Sequence, residues 1–201
     1  MSEIDPRAYR NTIGLFATGV TVITARLGDT VHGMTANAVS SVSLDPTLLL
    51  VCVDRRARMH DLLQQAGTFA VNILAEDQEA LSGHFAGRGK SGPSPPGLHF
   101  EWGDEDETEP PIIVGCVAAL RCVVQQSFDG GDHTIVVGRV TELRPGARDT
   151  RPLIFYAGRY RRLLEPDPTA PPAPDLWIDH TVQLYYHEWD DPPDAIEPPF
   201  R

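Results

Sequence analysis

The sequence predicts a mainly β protein, a small barrel of six or seven mostly antiparallel strands with a few flanking helices. Runs rich in β-branched residues occur at residues 20–26, 47–54 and 112–143, and turn residues separate them. Asp-Gly-Gly-Asp at residues 129–132 divides the last run, which is a strong signal for an antiparallel hairpin. GxGxxG occurs only as GRGKSG at residues 87–92, within a predicted loop and not between a strand and a helix, and no Walker motif occurs, so nothing supports a doubly wound nucleotide-binding sheet.

The chain is predicted to begin with an amphipathic helix. Asp5 is a favourable N-cap residue, and Pro6 is a favourable first helical residue. Three apolar residues then recur on one helical face: Tyr9, Ile13 and Phe16. Gly19 follows the predicted end of this helix.

Three strands are predicted to follow the helix. Residues 20–26 and 31–39 form a hairpin around the turn residues LGDT. Residues 47–54 are apolar on both faces, which is typical of a central strand covered on both sides. These strands would supply the first half of the barrel.

Short helices alternate with strands through the rest of the barrel. In chain order the sequence predicts a helix over 59–67, a strand over 68–74, a helix over 76–87, a long surface loop over 86–110, the hairpin over 112–143 and a last strand over 152–163. Cys116 and Cys122 would then share one face of a strand. Residues 165–201 hold nine of the 18 prolines, so we expect a barrel domain over residues 1–164 and an acidic, Pro-rich C-terminal extension over 165–201.

The charge distribution excludes one class of partner. The formal net charge is -11, and residues 165–201 carry nine of the 28 acidic residues but one of the 17 basic residues. Nucleic-acid binding calls for a basic surface, so we expect no nucleic-acid partner. Residues 1–164 are nearly neutral and can still hold a local cationic pocket.

The cysteines and the hydropathy pattern indicate a cytoplasmic protein. Cys52, Cys116 and Cys122 are an odd number within apolar runs, as expected for buried thiols in a reducing compartment. No Cys/His pair has ligand spacing, so no metal site is expected. The sequence has no apolar stretch of the roughly 18 residues that a membrane span needs, and residues 1–10 contain no apolar h-region, so we expect neither a membrane span nor a secretory leader.

Residues 32–54 contain an unusual excess of small and hydroxylated side chains directly before an apolar run. A hairpin bend needs only one or two such residues, whereas the excess lies mainly in the polar strip, residues 35–41. Short donors and acceptors in this number are typical of backbone laid against a flat, polar ligand. A bulge or wide turn is the structural alternative.

Several linked motifs resemble the flavin reductase-like family of short-chain NAD(P)H:flavin oxidoreductases. They include FATGVTVITA, HGMTANAVSSVSLDPTLLLVCVD, FAVNIL, GDHTIVVGRV and PLIFYAGRYRRL, and the resemblance extends over about residues 9–163. It implies an FMN-binding split β-barrel, a homodimer, FMN or FAD with NAD(P)H as co-substrate, and a transient monooxygenase partner. The implied reaction is hydride transfer from nicotinamide C4 to flavin N5.

The resemblance also assigns site residues. Contacts to the flavin fall on Thr35, Ala36, Asn37, Ser40, Ser41, Cys52, Asp54, Arg58, Phe85, Gly87 and Tyr160, and His133 falls beside the nicotinamide as the catalytic residue. Phe85 and Tyr160 could instead be packing residues, and His133 could be a polar residue that begins a strand.

The predicted phosphate-binding stretch, DRRARMH at residues 54–60, departs from the family pattern. Ala57 and Met59 stand where hydroxyl groups are more usual, whereas Arg58 keeps the matching position. Arg55 and Arg56 could be solvated surface charges. We therefore expect weaker flavin binding, or a flavin that dissociates as a substrate.

Two other functions remain open on the sequence alone. One is a flavin-binding barrel that uses its flavin in another biosynthetic step, as an oxygenase or a non-redox scaffold. The other is a non-enzymatic dimeric binding module in which aromatic residues of the extension contact a partner. Turnover of NAD(P)H with added free flavin separates the reductase from both.

Overall fold

A computed structural model describes residues 4–88, 102–103 and 108–164. Most of the predicted loop over residues 86–110 and the predicted extension over 165–201 lie outside these residues. No helix within the described ranges is both long and apolar enough to cross a bilayer.

The N-terminal helix, α1, is Pro6–Ile13. Asp5 is its N-cap as predicted, and the carboxylate accepts a hydrogen bond from the Arg7 backbone N–H at 3.1 Å. The helix is shorter than predicted, because the chain leaves it at Gly14 and enters a strand at Thr18. Its apolar face is not buried by the described residues, and Phe16 just beyond it is 71% exposed.

Seven strands form one antiparallel sheet. They are β2 (Thr21–Leu27), β3 (Thr30–Ala36), β4 (Val39–Leu44), β5 (Thr47–Asp54), β6 (Thr68–Ile73), β7 (Ala118–Gly130) and β8 (His133–Pro145). Their order across the sheet is β3-β2-β6-β7-β8-β5-β4. The mainly β, antiparallel fold predicted from the sequence is confirmed.

The order of the strands forces this sheet to curl. Strands β3 and β4 are at opposite edges, yet Asn37 and Ala38 alone connect them. A flat sheet of seven strands would separate its edges by roughly 29 Å, whereas three Cα–Cα steps span at most about 11 Å. The sheet therefore curls into a barrel that is split between β3 and β4, and residues 37–38 lie at the seam where its two edges approach each other.

A second antiparallel sheet has three short strands in the order β1-β9-β10. These are β1 (Thr18–Gly19), β9 (Ile154–Tyr156) and β10 (Arg159–Arg161). The prediction of one strand over residues 152–163 was wrong, because a two-residue turn at Ala157 and Gly158, with φ of 50° and 75°, folds this segment back on itself. Positive φ at both positions is the signature of a tight hairpin turn.

Two helices follow strands of the main sheet along the chain, α2 after β5 and α3 after β6. Helix α2 (Arg58–Ala66) ends at Gly67 as predicted. Helix α3 (Glu79–Gly83) continues into a π-helical turn at His84–Arg88. Gly87 has a φ of 74°, so it provides a backbone conformation that other residues adopt at a cost.

Three further expectations were wrong. Strand β5 is not central but second from an edge, and its residues alternate between the buried face and a half-buried face. Strand β4 was not predicted at all, because Ser40, Ser41 and Ser43 interrupt its apolar pattern. Cys116 precedes β7, so it does not share a strand with Cys122, although both thiols are buried.

The main core lies between the curled sheet and α2. Phe69, Ile23, Met59 and Leu63 are fully buried there. Phe69 packs directly over Gly138, since a Cβ at that glycine would lie 2.5 Å from the ring. Truncating such an aromatic residue to Ala typically costs about 3–5 kcal/mol, so we expect Phe69 to contribute strongly to the stability of this core.

Candidate active site

The predicted polar strip lies at the seam of the barrel. Thr35 and Ala36 end β3, Asn37 follows in the connection, and Ser40 and Ser41 lie in β4. The register of β4 on β5 shifts between Ser41 and Ser43, which is a β-bulge. The strip therefore runs along both edges of the sheet and across the gap between them.

A large cleft opens beside the seam. Its volume is about 870 Å³, within the range of small-molecule sites. Four predicted flavin contacts line it, namely Asn37, Ser40, Ser41 and Cys52. The apolar part of the lining comes from the segment after α1 and from β5 to β9, with Leu48, Leu50, Phe16 and Phe155 among the residues.

A smaller cavity of about 170 Å³ adjoins the same strip. Four predicted contacts line it, namely Thr35, Ala36, Asn37 and Tyr160. Asn37 and Phe155 line both cavities, so these two residues stand at their boundary. The structure thus brings seven of the eleven predicted flavin contacts around one continuous region.

Asp54 and His133 lie at the end of the β5 face that lines the cleft. Leu48, Leu50 and Cys52 point into the cleft, and Asp54 is next on the same side of the strand. His133 is opposite Asp54 in the register of β5 and β8, so its side chain shares that face. Two residues along a strand span about 7 Å, which places His133 close to the predicted ring site.

The imidazole of His133 is oriented by a neighbouring carboxylate. Nδ1 of His133 lies 2.7 Å from Oδ1 of Asp132. The hydrogen bond from His133 lowers the pKa of Asp132, so this carboxylate is charged at neutral pH. With Nδ1 held in this way, Nε2 is the ring atom left to meet a ligand.

Two of the three arginines after β5 are paired with carboxylates. Arg56 binds Asp54 through two nitrogens, at 3.1 and 2.8 Å, and this hydrogen bonding holds the pKa of Asp54 well below its usual range. Arg55 contacts Asp129 at 3.0 Å. Both arginines therefore have local partners within the protein.

Arg58 is the first residue of α2. Residue Ala57 at the N-cap makes no side-chain hydrogen bond to this helix end. Arg58 also acts on His32, whose pKa is lowered first by burial and then by the nearby guanidinium. Arg58 thus remains the arginine of this stretch that fits a phosphate.

Phe85, in the π-helical turn, packs on β3 just before the polar strip and against a second core cluster. A Cβ at Gly33 would lie 2.5 Å from the Phe85 ring, so the ring packs directly on β3. The rings of Phe85 and Trp102 are 6.4 Å apart between centroids. Among the residues described, Phe85, Gly87, Asp54, Arg58 and His133 line neither of the two cavities.

Cys52 is a half-buried thiol in the wall of the large cleft. Burial raises its pKa, so the group remains a neutral thiol at physiological pH. It therefore supplies a small, weakly polar surface and no charge to a bound ring.

Sequence reasoning missed several residues of the site, among them Phe155 and Ser82. Phe155 lines both cavities, and Ser82 lines the smaller one. The motif PLIFYAGRYRRL contains Phe155 and could have indicated it, but its place in the site depends on the pairing of β9 with β1. Ser82 lies within a short helix and gives no signal of its own in the sequence.

The curled sheet, the cleft and the polar strip define a β-barrel protein built to hold a flat ligand with a polar edge. Residues 13–164 match the flavin reductase like domain. The chain belongs to the flavin reductase like family, which confirms the resemblance found in its motifs.

Similar proteins of known sequence agree with this assignment. The chain is 43% identical over 164 residues to an NADH-dependent flavin reductase of Rhodococcus sp, covering 80% of this chain and 88% of that protein. It is 42% identical over 159 residues to the reductase component of 4-hydroxyphenylacetate 3-monooxygenase from Thermus thermophilus, covering 79% and 97%.

Solved structures agree as well. The flavin reductase PheA2 in its native state has a TM-score of 0.72 and 41% identity, covering 81% of this chain and all of that one. The NADH:FAD oxidoreductase SgcE6 of Streptomyces globisporus C-1027, in complex with NAD and FAD fragments, has a TM-score of 0.72 and 36% identity, covering 85% and 100%.

Proposed function

We propose that this protein is an NADH-dependent flavin reductase that supplies reduced FMN or FAD to a separate monooxygenase. The observation that carries the proposal is the polar strip at the seam, which borders a cleft of about 870 Å³. The similarity to NADH-dependent flavin reductases and to a monooxygenase reductase component supports the reaction and the partner.

The residues present fit a flavin. Its ring system is flat and apolar on its faces but carries an N–H, ring nitrogens and two carbonyl groups along one edge. The cleft offers the matching surfaces, with Leu48, Leu50 and Phe155 for the faces and Asn37, Ser40 and Ser41 for the edge. When bound, flavin accepts a hydride from nicotinamide C4 at its N5.

The protein's own residues bind and orient the reactants. The amide of Asn37 and the hydroxyls of Ser40 and Ser41 fix the edge of the ring and so the position of N5. His133, held by Asp132 at 2.7 Å, presents Nε2 to the nicotinamide and to the charge that develops beside it. No acid, base or nucleophile needs to form a bond in this reaction.

The phosphate of the flavin is assigned to Arg58 and the N-terminus of α2. Asp54 and Asp129 neutralise Arg56 and Arg55, so this stretch offers less net positive charge than its sequence indicates. We therefore propose that the flavin is a dissociable substrate. That behaviour suits a protein that releases reduced flavin to another enzyme.

We further propose that the barrel domain over residues 1–164 is a cytoplasmic homodimer with the extension over 165–201 as a separate segment. The exposed apolar face that includes Ile13 and Phe16 borders the open cleft and supports a partner subunit there. The thiols of Cys52, Cys116 and Cys122 are all free, which supports a reducing compartment.

The test is an assay of NADH oxidation by the purified full chain with FMN, FAD or riboflavin. The decrease in NADH absorbance measures the rate. Turnover with free flavin is expected, and Asn37→Ala should raise KM for flavin about tenfold or less, because it removes one edge contact. Gln65→Ala, an exposed change on α2, is the matched control. A folded chain that oxidises no NADH with any of the three flavins refutes the proposal.

A further inference from the structure

Ser82 connects two residues of the predicted flavin site. The Thr35 hydroxyl donates to the Ser82 backbone carbonyl at 2.7 Å. The Ser82 hydroxyl lies 2.8 Å from the hydroxyl of Tyr160. Ser82 itself is 0% exposed, so its hydroxyl is surrounded by protein and not by solvent.

These two contacts join three elements that are distant in the chain. Thr35 in β3 is 47 positions from Ser82 in α3, and Tyr160 in β10 is 78 positions from it. All three residues line the small cavity of about 170 Å³. The relative position of β3 and β10 at that cavity is therefore set through one buried serine.

The hydroxyl pair leaves one donor for a ligand. Ser82 and Tyr160 carry two hydroxyl protons, and the hydrogen bond between them uses one of them, with either oxygen able to donate. Ser82 is fully buried whereas Tyr160 is half-buried, so the direction that leaves an accessible proton for a ligand is donation from Ser82 to Tyr160. The Thr35 proton is already bound to the Ser82 carbonyl.

We propose that Ser82 is a positioning residue for flavin, whose carbonyl fixes Thr35 and whose hydroxyl orients Tyr160 so that the phenol donates to an acceptor on the ring edge. The inference rests on the proposed function. It assigns a role to a residue that touches the flavin only through its two neighbours. It also assigns the small cavity to the edge of the ring, beside the larger cleft that holds its faces.

The test is a double-mutant cycle on flavin affinity. Full-length Ser82→Ala, Tyr160→Phe and the double variant are titrated with FMN, and the quenching of flavin fluorescence gives Kd. Each single change is expected to raise Kd about three- to tenfold, the range of one neutral hydrogen bond. The Kd of the double variant is expected to match that of the single variants, because both changes remove the same hydrogen-bonded pair of hydroxyls.

A matched control separates positioning from stability. Thr24→Val removes another fully buried hydroxyl, one that donates to the Pro111 carbonyl at 2.6 Å. It should lower the urea midpoint while the Kd for FMN stays unchanged. In the Ser82→Ala variant, kcat at saturating FMN should stay within about twofold of wild type, since only ground-state binding is affected.

Three results would overturn the inference: a wild-type Kd in folded Ser82→Ala, effects that multiply in the double variant, or a wild-type Kd in Tyr160→Phe. The last result decides the matter if Ser82→Ala does not fold, because Tyr160→Phe keeps the ring in place. A wild-type chain that binds no flavin refutes the proposed function itself. Wild-type turnover with an unchanged Ser82→Ala variant refutes only the role of Ser82.

Discussion

Replacing Gly33 by Ala tests whether Phe85 is held firmly against β3, next to the polar strip. The new Cβ would lie 2.5 Å from Cδ1 and from Cε1 of Phe85, and 3.1 Å from Cζ. Carbon atoms pack at about 3.5 Å or more, so the ring must move by about 1 Å. The backbone of Gly33 is not among those with positive φ, so the cost is steric.

The expected destabilisation is about 1–3 kcal/mol, the range for overpacking a well-filled site. The ring cannot move freely, since it also contacts His84 at 4.8 Å and Trp102 at 6.4 Å between centroids. The displacement must therefore pass into the π-helical turn. Because Phe85 is a predicted flavin contact, we expect weaker FMN binding along with the loss of stability.

Urea unfolding and FMN titration measure the two effects. Gly83→Ala is the matched control, because a Cβ at Gly83 meets no heavy atom within 4 Å and its φ is not positive. A second comparison places Gly33→Ala in a Phe85→Ala background, where the clash has been removed and the substitution should cost almost nothing. An equal cost in both backgrounds would show that the reasoning about this contact is wrong.

Three other predictions concern single groups. Asp132→Asn removes the carboxylate 2.7 Å from Nδ1 of His133, so kcat/KM for NADH should fall about three- to tenfold with an unchanged urea midpoint, and unchanged kinetics would remove His133 from the proposed role. Burial raises the pKa of Cys122 from 9.0 to about 12, so between these pH values the thiol ionises in the unfolded chain but not in the folded protein. The free energy of unfolding should therefore be unaffected by this group below pH 9 and fall by up to about 1.4 kcal/mol per pH unit above it, a fall that urea unfolding of Cys122→Ala should lack. Ala157→Asn should raise the unfolding free energy by about 0.5–1 kcal/mol, because Asn tolerates the φ of 50° better than Ala, and a destabilised variant would contradict the assigned turn.

Local signals predicted the parts of the fold that depend on neighbouring residues. The Asp-Gly-Gly-Asp sequence at residues 129–132 identified the β7–β8 hairpin, whose turn is Gly131 and Asp132, and Gly67 marked the end of α2. The position of β5 was not predictable in this way. Its apolar pattern looks central, but its place beside β4 follows from pairings far apart in sequence.

In the candidate site too, the residues that are contiguous in sequence were predictable, and those brought in by long-range contacts were not. The polar strip over residues 35–41 is contiguous, so its composition alone indicated a ligand. Ser82 and Phe155 join the site through contacts with β3, β10 and β1, and a single serine or phenylalanine carries no trace of such contacts in the sequence. The pairing of Arg55 with Asp129 required the β7–β8 hairpin to be in place, whereas Arg56 pairs with Asp54 two positions away and its side chain remains exposed.

The covalent connection through Asn37 and Ala38 joins two strand edges that, among the described residues, share no ladder of hydrogen bonds. Widening this gap costs the 3.3 Å contact between Asn37 and Thr18 but no backbone hydrogen bond between strands. The wall of the pocket is thus most compliant at the seam, where we propose that the edge of the flavin ring binds. A small local expansion there can adjust the pocket to the ring, while the hydrogen-bonded remainder of the barrel keeps its shape.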